Sequence, residues 1–161
     1  MIDARQLVNL LRHGGLRSRV GTLLLPQAFL GKEETLAIRL DVHYVNFANH
    51  LLESLSDDAC YLTLTVDKLI HHLDILASTR TERDCVLIAN FDLPVSRLAH
   101  ENRMLLWNRL LLDFPYKRNS LILLLPAVLP HSALLPEDRL QQEWTASKRL
   151  VQLSNSNLSG I

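Results

Sequence analysis

The chain has 161 residues, 48% hydrophobic and 21% charged, which is enough apolar mass for one globular domain with a sizeable core. Its 17 basic side chains are balanced by 17 acidic ones, so the basic footprint of a general nucleic-acid binder is absent and only a local basic patch could serve such a partner. Cys60 and Cys85 have no CxxC spacing and sit beside apolar runs, the setting of buried, reduced thiols.

The opening MIDARQLVNLL has an acid at position 3 and no long apolar core, unlike a signal peptide. The longest apolar run, residues 121–129, is interrupted by Pro126 and is too short to span a bilayer. These features predict a cytoplasmic location without a membrane partner. In residues 3–12, Leu7, Leu10 and Leu11 fall at helical spacing, and Gly14-Gly15 ends the helix. Residues 20–25 form a compact apolar run suited to a buried strand. KEETLAIRL then carries acids in its first turn, favoured at a helix N-terminus by the backbone dipole. HYVNF (43–47) predicts a second strand and ANHLLESL a short helix.

Residues 61–66, YLTLTV, read either as a strand or as the lead-in to the helix VDKLIHHLDIL, whose Leu69, Ile70, Leu73 and Leu76 share a face. DCVLIANFD (84–92) is the clearest buried strand. A strongly apolar helix is predicted over 96–114 with Ser96 as N-cap, then a strand over 119–126. The last helix starts at Pro136 and runs through QQEWTASKRLVQL, with Leu140, Trp144 and Val151 on its apolar face. Residues 154–161 read as a frayed tail. Apolar strands alternating with helices predict a single α/β domain over 1–161, with about four or five mostly parallel strands covered on both faces. The loop at 26–31, the turn after Phe91 and the end of LILLLP then converge at the carboxyl edge of the sheet, where such folds bind ligands.

Pro26-Gln-Ala-Phe-Leu-Gly31-Lys32-Glu33 has the length and placement of a phosphate-binding loop, GxxxxGK[ST]. Pro26 replaces the first glycine and has no N–H to offer. Ala28, Phe29 and Leu30 are apolar where the loop must hug phosphate, and Glu33 replaces the hydroxyl that binds magnesium. In the strand CVLIANFD, Ala89 stands where a metal-binding acid is needed; Asn90 and Asp92 are the nearest polar groups. Losses at both halves of the magnesium site predict a degenerate nucleotide-binding loop, with Gly31, Lys32, Asn90 and Asp92 the residues that would touch any nucleotide.

In order, LLLPQAFLGKEET, HYVNF, VLIANFDLP and LWNRLLLDFPYKRNSLILLLP resemble BrxF, the family of small P-loop proteins of certain BREX phage-exclusion systems. The resemblance covers residues 20–126. It implies a P-loop NTPase-like fold with degenerate Walker motifs, in which Lys32 matches the loop lysine and Tyr44 with Asn46 the second-strand pattern. Asn90 and Asp92 match the Walker B turn, and Arg118-Asn119 the pair before the last strand. A phage-defence or DNA-handling setting is implied too. Pro26, Glu33 and Ala89 depart from the family at the residues that define an ATPase.

His71-His72 with Asp74 lacks the i, i+4 spacing by which helical histidines share an ion, so no metal site is expected. There is no GxSxG, neither cysteine has an activating neighbour, and His100-Glu101 read as a solvent face. Lys117 and Arg118, in the basic and aromatic cluster YKRN, are candidates for a trans-acting contact to a neighbour's nucleotide or for DNA. Leu106, Trp107 and Leu110, with Trp144, belong to helices apolar enough to be buried centrally or shared with a partner, and are taken as interface residues. The 127–136 loop adds further apolar residues to that surface.

The function these features predict is that of a non-catalytic or weakly nucleotide-binding subunit. It would act by assembly with itself or with protein partners, reaching DNA only through a complex and needing no cofactor. An active small AAA-like ATPase, binding ATP and magnesium through Lys32 with Asp92 or a neighbouring subunit completing the metal site, is one alternative. An α/β interaction scaffold without nucleotide is the other.

Overall fold

The computed structural model describes residues 3–59, 62–127 and 138–154. Cys60, Tyr61, most of the 127–136 loop, Pro136 and the tail beyond 154 lie outside them. Helix α1 (Ala4–His13) opens with a capping box in which the Asp3 carboxylate accepts from the Gln6 N–H and the Gln6 side chain accepts from the Asp3 N–H. Strand β1 (Val20–Leu25) follows, then a 3₁₀ turn (Gln27–Phe29), α2 (Glu33–Leu40) and β2 (His43–Asn46). Next come α3 (Phe47–Glu53), α4 (Val66–Ser78), β3 (Cys85–Ala89), α5 (Asp92–Ser96) and α6 (His100–Asn108). A π-helical turn (Arg109–Asp113), β4 (Ser120–Pro126), α7 (Asp138–Ala146) and β5 (Leu150–Gln152) complete the described chain.

The five strands form one all-parallel sheet in the order β2-β3-β4-β1-β5. In β4, Leu121, Leu123 and Leu125 face one apolar core while Ile122 and Leu124 face a second. Burial on both faces is why the three central strands, β3, β4 and β1, read as largely apolar runs rather than alternating ones. The first core is closed by α3, α4, α5, α6 and α7, and the second by α1 and α2. From β1 the chain crosses the sheet to β2 in one direction and returns through β3 and β4 in the other. With right-handed crossovers, that reversal puts α2 on one face and α4 and α6 on the opposite face. Gly21 lets α1 approach β1 closely, because a Cβ there would lie 3.0 Å from a Leu7 methyl and 3.1 Å from a Leu11 methyl.

One open alternative is settled and two expectations are corrected. Residues 62–65 are not a strand but the lead-in to α4, with Thr65 as N-cap accepting from the Lys68 N–H (3.2 Å). The fifth strand is instead β5, where a helix was expected to continue. Lys148, at φ +58°, breaks that helix and places Val151 in the sheet. Ser96 does not cap a long helix: it ends α5, with its Oγ donating to the Leu93 carbonyl (2.7 Å), and α6 starts only after Ala99.

The candidate interface residues Leu106, Trp107, Leu110 and Trp144 are each at most 1% exposed and belong to the first core of this one chain. Trp107 sits centrally, edge-on to Phe91 (6.0 Å) and to Trp144 (6.1 Å), while Phe91 meets Phe47 (5.3 Å). Each such aromatic pair contributes about 0.5–1.5 kcal/mol beyond its burial. Most of the apolar surface of α6 and the turn after it is spent inside the fold, Leu105 and Leu112 excepted.

Candidate functional site

Strand order dictates where a cleft can form. The element after β1 leaves to one face and the elements after β3 to the other, so a crevice opens at the carboxyl edge near the point of reversal. A cavity of about 280 Å³ lies there, lined by Leu25, Leu30, Glu33, Asn90, Asp92 and the β4 end Leu124–Pro126. The three segments expected to converge do so.

Within the loop, the amides of residues 29–32 have internal acceptors. Phe29 N–H donates to the Pro26 carbonyl (2.9 Å), Leu30 N–H to Gln27 (3.2 Å) and Lys32 N–H to Phe29 (3.0 Å). Gly31, at φ +85°, turns its N–H to the Glu33 carboxylate (3.0 Å). A positive φ here suits glycine, since an L side chain would be strained even though no atom blocks a Cβ. Glu33 thus supplies an intramolecular anion to a loop amide that could otherwise meet an external one.

Lys32 does not line the cavity. It is exposed, lies in a shallow depression with Phe29, Thr35, Leu36 and Arg39, and places its ammonium 5.7 Å from the Phe29 ring centroid. Asn90 and Asp92 do line the cavity. Asn90 adopts φ +57°, which asparagine tolerates better than most residues, and this turns the chain out of β3. Burial raises the pKa of Asp92, backbone N–H groups of Asp92 and Leu93 oppose this, and the charge of Glu33 adds to the rise. Two carboxylates facing a leucine- and proline-lined cleft disfavour a polyphosphate.

The other matched residues have structural duties. Tyr44 is half-buried against the second core, its hydroxyl pushed above its usual pKa by burial and then by Glu33 and Glu34. Asn46 caps α3 by accepting from the Asn49 N–H (3.1 Å). Asn119, buried, donates to the Leu76 (2.9 Å) and Thr79 (2.7 Å) carbonyls, satisfying acceptors at the end of α4. Lys117 pairs with Asp74 (2.7 Å), and with Arg118 it lies at the start of β4, the edge opposite the cleft. Cys85 is buried in the second core, where desolvation pushes its thiol to about 12 and keeps it protonated.

Among the described residues no group of three or more His, Cys, Asp or Glu side chains is arranged to hold a metal ion. His72 also meets His50 of α3: His72 Nδ1 and His50 Nε2 are 3.2 Å apart. Spacing along one helix carried no signal for that cross-helix pair. Glu33 was legible as a departure from the loop pattern, but not as the partner of Gly31. Among the described residues no helix is long and apolar enough to cross a membrane. No protein-family model matches the chain, nor does a curated protein or a solved structure.

Proposed function

We propose that this chain is a P-loop-like α/β subunit without nucleotide hydrolysis, acting by assembly with itself or with protein partners. The phage-defence or DNA-metabolism setting comes from the BrxF resemblance. One contact carries the proposal: the Glu33 carboxylate on the Gly31 N–H, which sets a negative charge where a phosphate would have to sit. Lys32, turned to Phe29 outside the cleft, and Ala89, at the end of β3 in place of an acid, act in the same direction. A sheet in which β4 lies between the strand feeding the loop and the strand that ends just before Asn90 is compatible with P-loop-like descent. Half-exposed Leu105 and Leu112, seven residues apart on the α6 run, offer a surface for assembly.

Calorimetric titration of the chain with ATP and magnesium tests the proposal. The expected result is no binding in the micromolar range, with Lys32→Ala indistinguishable from the parent. Micromolar affinity that disappears in Lys32→Ala overturns it in favour of the ATPase reading.

A further inference from the structure

Zero net charge conceals a segregation. The segments that lead into the five strands are residues 12–19, 39–42, 79–84, 113–119 and 147–149. Together they hold ten lysines and arginines against four carboxylates, so the amino edge of the sheet is basic and the remainder of the molecule is acidic. Part of that charge is committed. Arg12 pairs with Asp84 (2.6 Å), Arg83 with Asp41 and Lys117 with Asp74, while Arg149 is buried against backbone carbonyls. Arg80, Arg118, Arg17 and Lys148 are exposed and, among the described residues, make no ion pair or hydrogen bond through their side chains. Those four precede β3, β4, β1 and β5, which are successive neighbours in the sheet. Adjacent strands are about 4.8 Å apart, so the starts of four neighbouring strands set these cations in one row along the edge, as a track for a nucleic-acid backbone requires.

An aromatic platform interrupts the row. Tyr116 is 41% exposed, and the Arg19 guanidinium lies 3.7 Å from its ring centroid on one side. Arg19 is itself tethered by Nη1 donating to the Arg12 carbonyl (3.0 Å), and the Tyr116 hydroxyl donates to the Arg118 carbonyl (3.4 Å). One ring face is thus backed by a fixed cation and the ring is held in place beside Arg118. Cations along a backbone track with an aromatic ring for a base are the elements of single-strand recognition. A duplex would present no base face to Tyr116, and a lipid surface would be met by an amphipathic helix, whereas linker segments form this edge.

We propose that the amino edge of the sheet binds single-stranded nucleic acid, with Arg80, Arg118, Arg17 and Lys148 on successive phosphates and a base stacked on the outer face of Tyr116. This surface is at the edge opposite the Glu33 cleft, so its function does not depend on whether the loop binds nucleotide.

Fluorescence anisotropy of the full chain with a labelled oligothymidylate, between about 50 and 200 mM salt, tests it. Four phosphate contacts predict a slope of log affinity against log salt near −3, at about 0.7 per contact on a single strand. Arg17→Ala with Arg118→Ala should bring that slope to about half. Tyr116→Ala should weaken binding about tenfold at fixed salt while Tyr116→Phe retains it, as loss of one stacked base requires. Circular dichroism confirms that each variant is folded; all three positions are exposed, and the Phe variant guards against a folding artefact. Absence of binding at the lowest salt overturns the proposal. So does equal affinity for duplex DNA or heparin with no effect of Tyr116→Ala, which is ion exchange, or binding only to phosphatidylserine vesicles.

Discussion

At the scale of the residue, the histidine pair gives a direct pH prediction. Burial lowers the pKa of both His50 and His72, and His50, then His71 and Lys68, press that of His72 down further while Glu53 opposes the shift at His50. The unfolded value is 6.5. Because the folded values lie below it, the unfolded chain binds more protons in that window. Stability is therefore fully present above 6.5 and is lost as the pH falls through the lowered folded values. Both rings are partly exposed and screened, so the loss is on the order of 1 kcal/mol or less. Urea midpoints compared at about pH 7.5 and 5.5 should fall for the parent and fall less for His72→Gln; an identical fall in both would sink the assignment to this pair. The sequence marked His71 and His72 but not His50, because the partner comes from another helix. Lys32 shows the same limit: its place in the chain was legible, but its direction is set by the 3₁₀ turn of residues 27–29 and the ring of Phe29.

At the scale of the element, the π-helical turn after α6 has a mechanical explanation. A wider turn loosens the i→i−4 ladder, and two of its carbonyls are met from outside. Ser18 Oγ donates to Leu110 (2.6 Å), and Arg149 Nη2 donates to Leu111 (3.2 Å). Arg149 Nη1 also reaches the Ser18 carbonyl (3.0 Å), so one buried guanidinium ties the turn to the chain entering β1 and to the start of β5. Arg149→Met keeps much of the apolar stem and leaves two buried carbonyls without this donor, predicting a loss of about 2–4 kcal/mol in urea unfolding. Ser18→Ala, which removes one donor, should cost about 1 kcal/mol; a neutral Arg149→Met would show that the tie is dispensable. None of this was legible, since RLLLDF and KRLVQL both carry ordinary helical patterns. Strands β1, β3 and β4 were legible because runs buried on both faces must be apolar throughout, whereas the edge strand β2, partly buried along its length, was legible from the strand-forming Tyr44 and Val45. Strand β5, three residues long beside a helix, is decided by its pairing with Thr22–Leu24 and not by composition.

At the scale of the whole molecule, apolar excess and surface stickiness must be separated. Trp107 and its neighbours made α6 look like a shared helix, yet composition cannot distinguish a helix buried under four others from one buried under a partner. What remains for a partner is narrower. Leu105 and Leu112, 50% and 51% exposed, flank the buried Leu106, Trp107, Leu110 and Leu111, so the outer face of that run is not fully polar. If the subunit acts by assembly, that face contributes apolar area to the contact, and introducing charge there should break the contact without touching the core. Light scattering at about 100 μM should give a mass above that of the monomer for the parent chain. Leu105→Glu with Leu112→Glu should give the monomer mass with an unchanged urea midpoint, because exposed substitutions typically move stability by about 0.5 kcal/mol or less. A parent chain that is monomeric throughout the concentration series excludes self-assembly and leaves a heterologous partner as the only form of the assembly role. A double variant that stays associated moves the contact away from α6.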